Sequence, residues 1–375
     1  MLLSCNFKGN CVNLAGSKKY IAMETNNISI KKTSNSRLTG IDFDAVEFGK
    51  VFSDHMLLAD YYDGKWQDFR ITPFENIMVS PAFFTLHYGQ SIFEGMKAHR
   101  SPEGEIVLFR PMDNFDRLNI SAERMCIPQI DTNTLLEGLK ELLKIDEGWI
   151  PTTPDGALYL RPFIFATDEY IGVRPSLNYR FVLFTCPVNK YYEQPVKVKI
   201  ETKYARASEG GVGFAKAAGN YAASLYPTKL ANDEGFDQII WTDSKEHKYI
   251  EESGTMNLMV IINDVIITPP SGETILKGIT RNSVLQIAQD LGYKTEERKL
   301  SVEEVVAAHR NGSLTDMFGT GTAVTITHVS AFGLGDETFE LPAVAERKIS
   351  IQLKNELEAI KRGVSKTNHD WIVKA

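Results

Sequence analysis

The sequence predicts a two-domain protein that mixes helices and strands, of the α/β or α+β class. Three observations predict this class. The chain has 375 residues, and a domain typically takes about 150 residues, so two cores can form. Helix and strand patterns alternate from Arg110 onward. The polar segment 189–195 contains two tyrosines and a proline, which suits a linker between domains. We therefore expect a tail and lead-in (1–46), a smaller domain (47–188), the linker (189–195) and a larger domain (196–375).

Apolar residues at helical spacing predict two consecutive helices in the smaller domain. The first runs from Pro111 to Met125 and ends before Pro128, and the second carries leucines between positions 135 and 143. Aromatic and β-branched residues then predict two strands, over 157–167 and 179–188.

The same patterns divide the larger domain into strands and helices. Strands are predicted over 196–201, 238–242 and 324–329, and a hairpin over 258–262 and 265–268. One helix is predicted over 280–291, and another over 344–362, which ends before Gly363. Between them, a capping box formed by Ser301 and Glu304 predicts the start of a short helix.

Composition and charge exclude several classes of partner. The net charge is −7 with charged residues at 24%, and no long basic tract suggests nucleic acid or an anionic membrane. The most apolar stretch, 257–270, is interrupted by Asn263 and Asp264, and is too short for a membrane helix. We therefore expect neither nucleic-acid nor membrane partners.

The cysteines and the N-terminus bear on the compartment. Cys5, Cys11, Cys126 and Cys186 form no CxxC pair, so a zinc site is not expected and the thiols suit a reducing cytoplasm. Residues 1–22 are weakly hydrophobic. They suit a frayed tail, or a start at Met23, better than a secretory signal, although a transit segment is conceivable.

The motifs typical of three kinds of chemistry are absent from the sequence. The sequence contains no GxxxxGK[ST], HExxH or GxSxG pattern, and the glycine-rich run 319–323 does not fit GxGxxG. Nucleotide cleavage, metal-assisted hydrolysis and serine hydrolysis are therefore disfavoured.

A single lysine stands out instead. Lys216 is the only charged residue between Gly210 and Tyr226, among glycines, alanines and aromatic residues. Apolar surroundings desolvate an ammonium group and favour its neutral form, which can attack a carbonyl to form an imine. The alternative is a flexible glycine hinge with an incidental exposed lysine.

Three further features fit a lysine-bound aldehyde with a pyridine ring and a phosphate. Glu251 and Glu252, expected in a turn between two strands, could hold the ring nitrogen protonated. Segment 277–282 opens a helix with a capping Thr280, and the loop 318–323 could offer backbone amides to an anion. Each feature also has an ordinary interpretation, as solvated turn carboxylates, a plain helix cap and a tight turn.

The chain resembles the branched-chain amino-acid aminotransferases, pyridoxal-phosphate enzymes of fold type IV, from about Glu47 to Trp371. Six motifs occur in the order and spacing of the family. They are Leu86-His-Tyr-Gly with Phe93-Glu-Gly-Met-Lys97, Leu108-Phe-Arg110-Pro, Leu158-Tyr-Leu-Arg161-Pro, the Lys216 segment, Glu252-Ser-Gly-Thr-Met-Asn257 and Gly319-Thr-Gly-Thr-Ala323. The resemblance implies a smaller N-terminal lobe and a larger C-terminal lobe with the cofactor, pyridoxal 5′-phosphate, at their interface.

The resemblance also implies roles for individual residues. Lys216 would be the catalytic lysine that binds the cofactor, Glu252 would pair with the pyridine nitrogen and Tyr221 would donate to the phenolic oxygen. The phosphate would be held by Arg110, Ile279, Thr280 and Thr322.

Substrate residues follow from the same resemblance. An apolar slot for leucine, isoleucine or valine would be formed by Tyr88, Phe93, Tyr159 and Ala323, and Thr255 with the amides near Thr322 would take the α-carboxylate. Val173 would cover the pocket of a neighbouring subunit, which implies a homodimer. Arg161 would either meet the γ-carboxylate of glutamate or form a structural salt bridge.

The implied reaction is a two-step transamination that moves an amino group from a branched-chain amino acid to 2-oxoglutarate. Relatives of the same fold that act on D-amino acids or as aminodeoxychorismate lyases are alternatives, disfavoured by Tyr159-Leu-Arg161 and by the chain length. A scaffold without activity would be expected to lack Lys216 or Glu252, and both are present.

Overall fold

The computed structural model describes residues 28–189 and 194–375, and the strands of the first half form one sheet. Its strands follow the order β1-β3-β2-β8-β7-β5-β6, with β4 beside β7. Every pairing in this order is antiparallel except that of β1 with β3. The bounds are β1 Ser29–Ile30, β2 His55–Tyr62, β3 Lys65–Pro73, β4 Ser91–Phe93, β5 Met96–Arg100, β6 Ile106–Phe109, β7 Ala157–Ala166 and β8 Tyr179–Val188.

Three helices accompany this sheet: α1 Phe84–Tyr88, α2 Pro111–Arg124 and α3 Thr132–Ile145. The apolar faces of α2 and α3 match the sequence prediction, and Phe115, Leu118, Leu135 and Leu139 are completely buried against the sheet. Asp131 caps α3 by accepting a hydrogen bond from the Thr134 amide. Burial of these apolar faces fixes where α2 crosses the sheet and therefore where its polar residues point.

A second sheet contains the strands of the second half. Strand order is β11-β10-β9-β16-β15-β12-β13-β14, with β17 beside β16, and β11 also pairs with β12, so the sheet closes into a ring. The bounds are β9 Val196–Ile200, β10 Gln238–Thr242, β11 Ile250–Ser253, β12 Met256–Ile262, β13 Val265–Thr268, β14 Lys294–Glu297, β15 Leu314–Gly321, β16 Thr325–Leu334 and β17 Glu337–Glu340. A last strand, β18 Ile372–Lys374, returns to pair with β6 of the first sheet.

Four helices pack around the second sheet: α4 Ala218–Asp233, α5 Ile279–Asp290, α6 Val302–Arg310 and α7 Lys348–Lys361. Helices α5 and α7 pack in one core cluster, which also contains Phe109 of the first sheet and Trp371 next to β18. The two sheets therefore share part of their apolar core.

The second half differs from the sequence prediction at Gly319 and at Arg347. Gly319 lies inside β15 rather than in a loop, because its backbone pairs with Leu258 on one side and Thr327 on the other. The helix predicted over 344–362 is interrupted at Arg347, whose buried guanidinium binds Asp316 and the Pro342 carbonyl while its backbone is not helical.

The capping box is also only half formed. The Ser301 hydroxyl accepts a hydrogen bond from the Glu304 amide, as predicted. The Glu304 carboxylate binds Arg298 instead of returning to the Ser301 amide.

The predicted boundaries of the lead-in and linker fall partly outside the described residues. Residues 1–27 and 190–193 are not described. Within the lead-in, Leu38, Ile41 and Phe43 pack against the core of the first sheet.

Candidate active site

A cavity of about 620 Å³ lies between the two sheets. Its wall combines residues of β4, β7 and β8 with the segment before α4, the start of α5 and the turn between β15 and β16. Ten residues that the sequence singles out line it, namely Phe93, Tyr159, Arg161, Lys216, Tyr221, Thr255, Ile279, Thr280, Thr322 and Ala323. Four do not line it, namely Tyr88, Arg110, Val173 and Glu252.

Lys216 lines this cavity, and residues of α2 and β4 fix its backbone. Its amide donates a hydrogen bond to the Ser121 hydroxyl of α2 (2.9 Å), and its carbonyl accepts one from the Phe93 amide of β4 (3.0 Å). The Lys216 Nζ donates to the Tyr221 hydroxyl at 2.6 Å and lies 4.8 Å from the centre of the Phe93 ring. The amine is therefore held in one place, between two aromatic rings.

Glu252 lies behind this amine, in a small adjoining cavity that also contains Tyr221 and Arg206. It belongs to β11 and is 4% exposed, so the predicted placement of both glutamates in a turn was wrong. The Leu276 amide donates to its carboxylate at 2.7 Å, and the Arg206 Nε lies 3.0 Å from the other oxygen. Burial raises the pKa of Glu252, and the charge of Arg206 opposes that shift.

Glu251 faces away from Glu252, as neighbours on a strand do. Its carboxylate accepts a hydrogen bond from the Thr274 hydroxyl at 2.6 Å, and it lines neither cavity. Burial raises the pKa of Glu251. The two carboxylates, which composition alone cannot separate, are separated by the pleat of β11.

The first turn of α5 lines the cavity, and no side chain caps its backbone amides. Gly278 occupies the N-cap position without a side-chain cap, and Ile279 and Thr280 follow inside the helix, so Thr280 is not the cap that the sequence predicts. A side chain at position 278 would collide with Asn257, because a Cβ there would lie 1.8 Å from Asn257 Oδ1. The amides of a helix's first turn have no partner within the helix and favour an anion.

The turn between β15 and β16 forms the opposite wall. Thr322, Ala323 and Val324 form this turn and line the cavity. Lys97 of β5 donates a hydrogen bond from its Nζ to the Ala323 carbonyl at 2.8 Å, so the first sheet holds the turn from behind.

Arg117, which the sequence did not single out, lines the cavity, and Arg110 does not. The Arg110 guanidinium binds Asp113, Asn282 and Ser283 and does not line the cavity. Arg117, about two turns further along α2, does line it.

Arg117 is held by a buried ion pair. Both oxygens of the Glu94 carboxylate accept from Arg117, at 2.7 and 2.8 Å, and Glu94 is completely buried. The Lys277 carbonyl, just before α5, accepts a third hydrogen bond from Arg117. The signal missed in the sequence is the helical spacing of Asn114, Arg117 and Ser121, three polar residues that are buried beside the apolar face of α2.

Strand β7 provides the aromatic part of the wall. Tyr159, Arg161 and Phe163 alternate along the strand and line the cavity together. The Arg161 guanidinium lies 4.6 Å from the centre of the Phe93 ring and donates to the Tyr159 hydroxyl at 3.0 Å. No carboxylate pairs with Arg161 within the described residues. The structural salt bridge considered for this arginine is therefore not formed within this part of the chain.

Two predicted substrate residues lie on the surface. Tyr88 is 38% exposed at the end of α1, where its ring is tilted against that of Phe84, and Val173 is 92% exposed. Apolar wall residues that the sequence did not single out are Phe48, Phe163, Phe184, Met256 and Val324. They come from separate elements, so no local pattern marks them as one surface.

The cavity between the two sheets brings together a lysine amine and the uncapped start of a helix, and a buried carboxylate lies in the adjoining cavity. The sequence matches the family described as amino-transferase class IV over residues 91–332. Branched-chain-amino-acid aminotransferase 2 of Bacillus subtilis is 43% identical over 88% of this chain and 92% of that protein. The enzyme of Mycolicibacterium smegmatis with the name branched-chain-amino-acid aminotransferase is 40% identical over 87% of this chain and 91% of its own. The chain belongs to the branched-chain-amino-acid aminotransferases.

Solved structures agree on the fold. The branched-chain amino acid aminotransferase of Escherichia coli superposes with a TM-score of 0.69 at 25% identity, over 85% of this chain and 98% of that one. Its counterpart from Thermoproteus uzoniensis gives a TM-score of 0.69 at 23% identity, over 85% and 99% of the two chains.

Two kinds of feature are absent from the described residues. Within 28–189 and 194–375, no helix has the length and apolar character needed to cross a membrane. In the same ranges, no group of three or more histidine, cysteine, aspartate or glutamate side chains could hold a metal ion.

The Glu94 and Arg117 pair generates a stability prediction. Arg117→Met leaves the Glu94 carboxylate buried without its partner, which costs about 3–5 kcal/mol of unfolding free energy. The matched control is Arg310→Met, which breaks the exposed pair with Glu337 and costs about 0–1 kcal/mol. Urea unfolding measures both variants, and equal losses would contradict the assignment. The double variant Glu94→Gln with Arg117→Met recovers most of the loss.

Proposed function

We propose that this cavity binds pyridoxal 5′-phosphate and transaminates branched-chain L-amino acids. The fit to the cofactor rests on donor chemistry that this structure contains. Lys216 offers an amine for the aldehyde, and Glu252 offers a buried carboxylate with one oxygen 3.0 Å from Arg206. The first turn of α5 and the guanidinium of Arg117 line the same cavity and suit a phosphate dianion.

We assign the residues as follows. Lys216 binds the cofactor, Tyr221 donates to its phenolic oxygen and Glu252 keeps its ring nitrogen protonated. The amides at Ile279 and Thr280, with Thr322, hold the phosphate. Arg117 takes the phosphate role that the family resemblance implied for Arg110, because Arg117 lines the cavity and Arg110 does not.

The chemistry depends on what these residues do once the cofactor is present. Bound pyridoxal phosphate supplies an aldehyde that accepts the amino group and a ring that withdraws electrons from the substrate Cα. The Lys216 Nζ takes the proton from that Cα, since the Tyr221 hydroxyl at 2.6 Å fixes its position. Arg206 stabilises the ionised form of Glu252, so that this carboxylate can bind a protonated nitrogen.

The substrate side chain meets an apolar wall. Phe93, Tyr159, Phe163 and Ala323 line the cavity opposite the start of α5. Such a wall suits leucine, isoleucine and valine, since burial of each methylene contributes about 0.8 kcal/mol. Thr255 and the turn at Thr322 and Ala323 take the α-carboxylate. Relatives named for branched-chain amino acids favour this class over D-amino acids or aminodeoxychorismate.

The second substrate is 2-oxoglutarate, which leaves as L-glutamate. Arg161 lines the cavity without a carboxylate partner among the described residues, and its guanidinium is held over Phe93 and against Tyr159. A cation in this position can bind the γ-carboxylate while the rings still accept an aliphatic side chain. This observation supports Arg161 as the residue that lets one pocket accept both substrates.

The assembly is a homodimer of two-domain subunits. The two domains divide at 189–195, except that β18 of the second half joins the first sheet, and the cofactor lies between them. Large apolar side chains on the surface support a second copy as partner, among them Leu86, Ile171, Val173, Leu225 and Tyr226.

The compartment is the cytoplasm, which the free thiols of Cys126 and Cys186 support.

The observation that carries the proposed function is the hydrogen bond of Lys216 to Tyr221 inside the cavity. Purified protein should absorb visible light after incubation with pyridoxal phosphate, and Lys216→Ala should abolish both this absorbance and turnover with L-leucine. The control is Lys203→Ala, which changes an exposed lysine outside the cavity and should leave both unchanged. A wild-type protein that stays colourless would refute the proposal.

Arg161→Met separates the two substrates. We expect kcat/KM for 2-oxoglutarate to fall roughly 10- to 100-fold, because a hydrogen bond to a charged group contributes about 1.5–3 kcal/mol. The kcat/KM for L-leucine in the first half-reaction should change less than about threefold, since methionine keeps the apolar wall. Stopped-flow measurement of each half-reaction checks this, and an equal loss with both substrates would make Arg161 a structural residue.

Sedimentation equilibrium tests the dimer. The chain has a mass of 42.0 kDa, and we expect twice this mass at micromolar concentration. A monomer at that concentration would contradict the proposed homodimer and leave the exposed apolar residues without a partner.

A further inference from the structure

A second cavity lies behind the turn that closes the active site. Its volume is about 320 Å³, and it shares Ala323 and Val324 with the first cavity, so the turn separates the two. Charged side chains on its wall come from three parts of the chain, namely Lys97, Asp155, Lys354, Glu358 and Arg362. None of these residues lines the active-site cavity.

Positive charge exceeds negative charge around this second cavity. Lys97, Lys354 and Arg362 line it, and the buried Lys361 donates to Thr325 beside it and lies 3.9 Å from Glu358. The acidic side chains among the described wall residues are Glu358 and the exposed Asp155, against these four basic groups. Among the described residues around the cavity, basic groups therefore outnumber acidic ones.

The titration behaviour of the wall agrees with this excess. Burial, and next the charge of Lys361, lowers the pKa of Lys97 to about 7. Burial and Lys354 lower the pKa of His328 to about 4. Burial would raise the pKa of Glu358, but Lys361 and other neighbours lower it to about 2. Burial is the largest cause for Lys97 and His328, and neighbouring positive charge acts in the same direction, so a bound anion would favour the protonated form of both groups.

His99 adds an observation that does not depend on charge. Its side chain lines this cavity and is 2% exposed, and neither ring nitrogen has a hydrogen-bond partner among the described residues. A buried imidazole without partners costs free energy that a ligand with oxygen acceptors would recover.

We propose that this second cavity is a binding site for a small carboxylate or similar oxyanion. Lys354 and Arg362 provide positive charge, the Lys97 amine provides a further donor, and the ring N–H of His99 provides a neutral donor. A volume of about 320 Å³ accommodates a short-chain acid but excludes a nucleotide. Lys97 also holds the Ala323 carbonyl, so the anion would contact the same side chain that positions the active-site turn.

Location and affinity are tested separately on the holoenzyme. Crystals soaked in sodium bromide should show an anomalous peak between Lys97, Lys354 and Arg362. Calorimetric titration with sodium acetate should show a binding event that acetamide, which has the same shape without the charge, does not produce.

Two variants of one helix identify the site in solution. Lys354→Met should weaken the acetate event roughly fivefold, because a partly buried charge is lost from the cavity. Lys348→Met makes the same change at an exposed position of α7 outside the cavity and should leave the event unchanged. Lys354→Gln provides a second variant if methionine destabilises the helix.

The outcomes are distinct. No bromide in the cavity, or acetate binding that Lys354→Met and Lys348→Met change equally, would overturn the proposal. Neither measurement requires turnover, so a negative result here leaves the proposed transamination intact, and inactivity of the enzyme would leave this site intact.

Discussion

The hydrogen bonds that tie the Lys216 backbone to the first sheet are the constraint on which the site depends. Lys216 follows the linker in the sequence, yet its amide and carbonyl bind Ser121 and Phe93 of the other half. The reactive amine is therefore positioned by both halves at once. Any relative movement of the two sheets would move this amine away from its partners, so the shared core around Phe109 and Trp371 also protects the chemistry.

Two buried ion pairs lie near this amine, and each has a different role. Glu94 binds Arg117 through both oxygens, which fixes a guanidinium at the cavity without leaving an unpaired carboxylate. Arg206 lies beside Glu252 and opposes the rise in pKa that burial causes. Buried pairs stabilise a fold little by themselves, so their value here lies in holding charges at fixed places in a cavity of low polarity.

Local patterns in the sequence predicted most helices and strands because apolar periodicity records burial directly. The strands 179–188, 238–242 and 265–268 and the core leucines of α3 agree with the structure. Local patterns could not show which residues meet across the sheets. Arg117 pairs with Glu94, and Arg110 pairs with Asp113. The local pattern of α2 does not show which of the two arginines lines the cavity.

Family resemblance named Glu252 for the site, but only the structure explains why it differs from its neighbour. Both glutamates are buried, and the pleat of β11 directs Glu252 towards Arg206 and Glu251 towards Thr274. The predicted turn was wrong because the pairing of β11 with β12 starts at Glu252 itself. A tight two-residue hairpin thus places a charge in the core, where a sequence pattern would expect solvent.

One amide connects the carboxylate with the helix that faces the cavity. Asn257 donates to the Glu252 carboxylate at 3.2 Å and to the Leu276 carbonyl at 2.9 Å, and its oxygen lies against Gly278. Only glycine leaves room for this contact, because any Cβ at 278 would overlap the amide. Because residue 278 has no side chain, the start of α5 can lie against Asn257 of β12. This contact determines how close the free amides of α5 lie to the Glu252 carboxylate, to which Asn257 also donates.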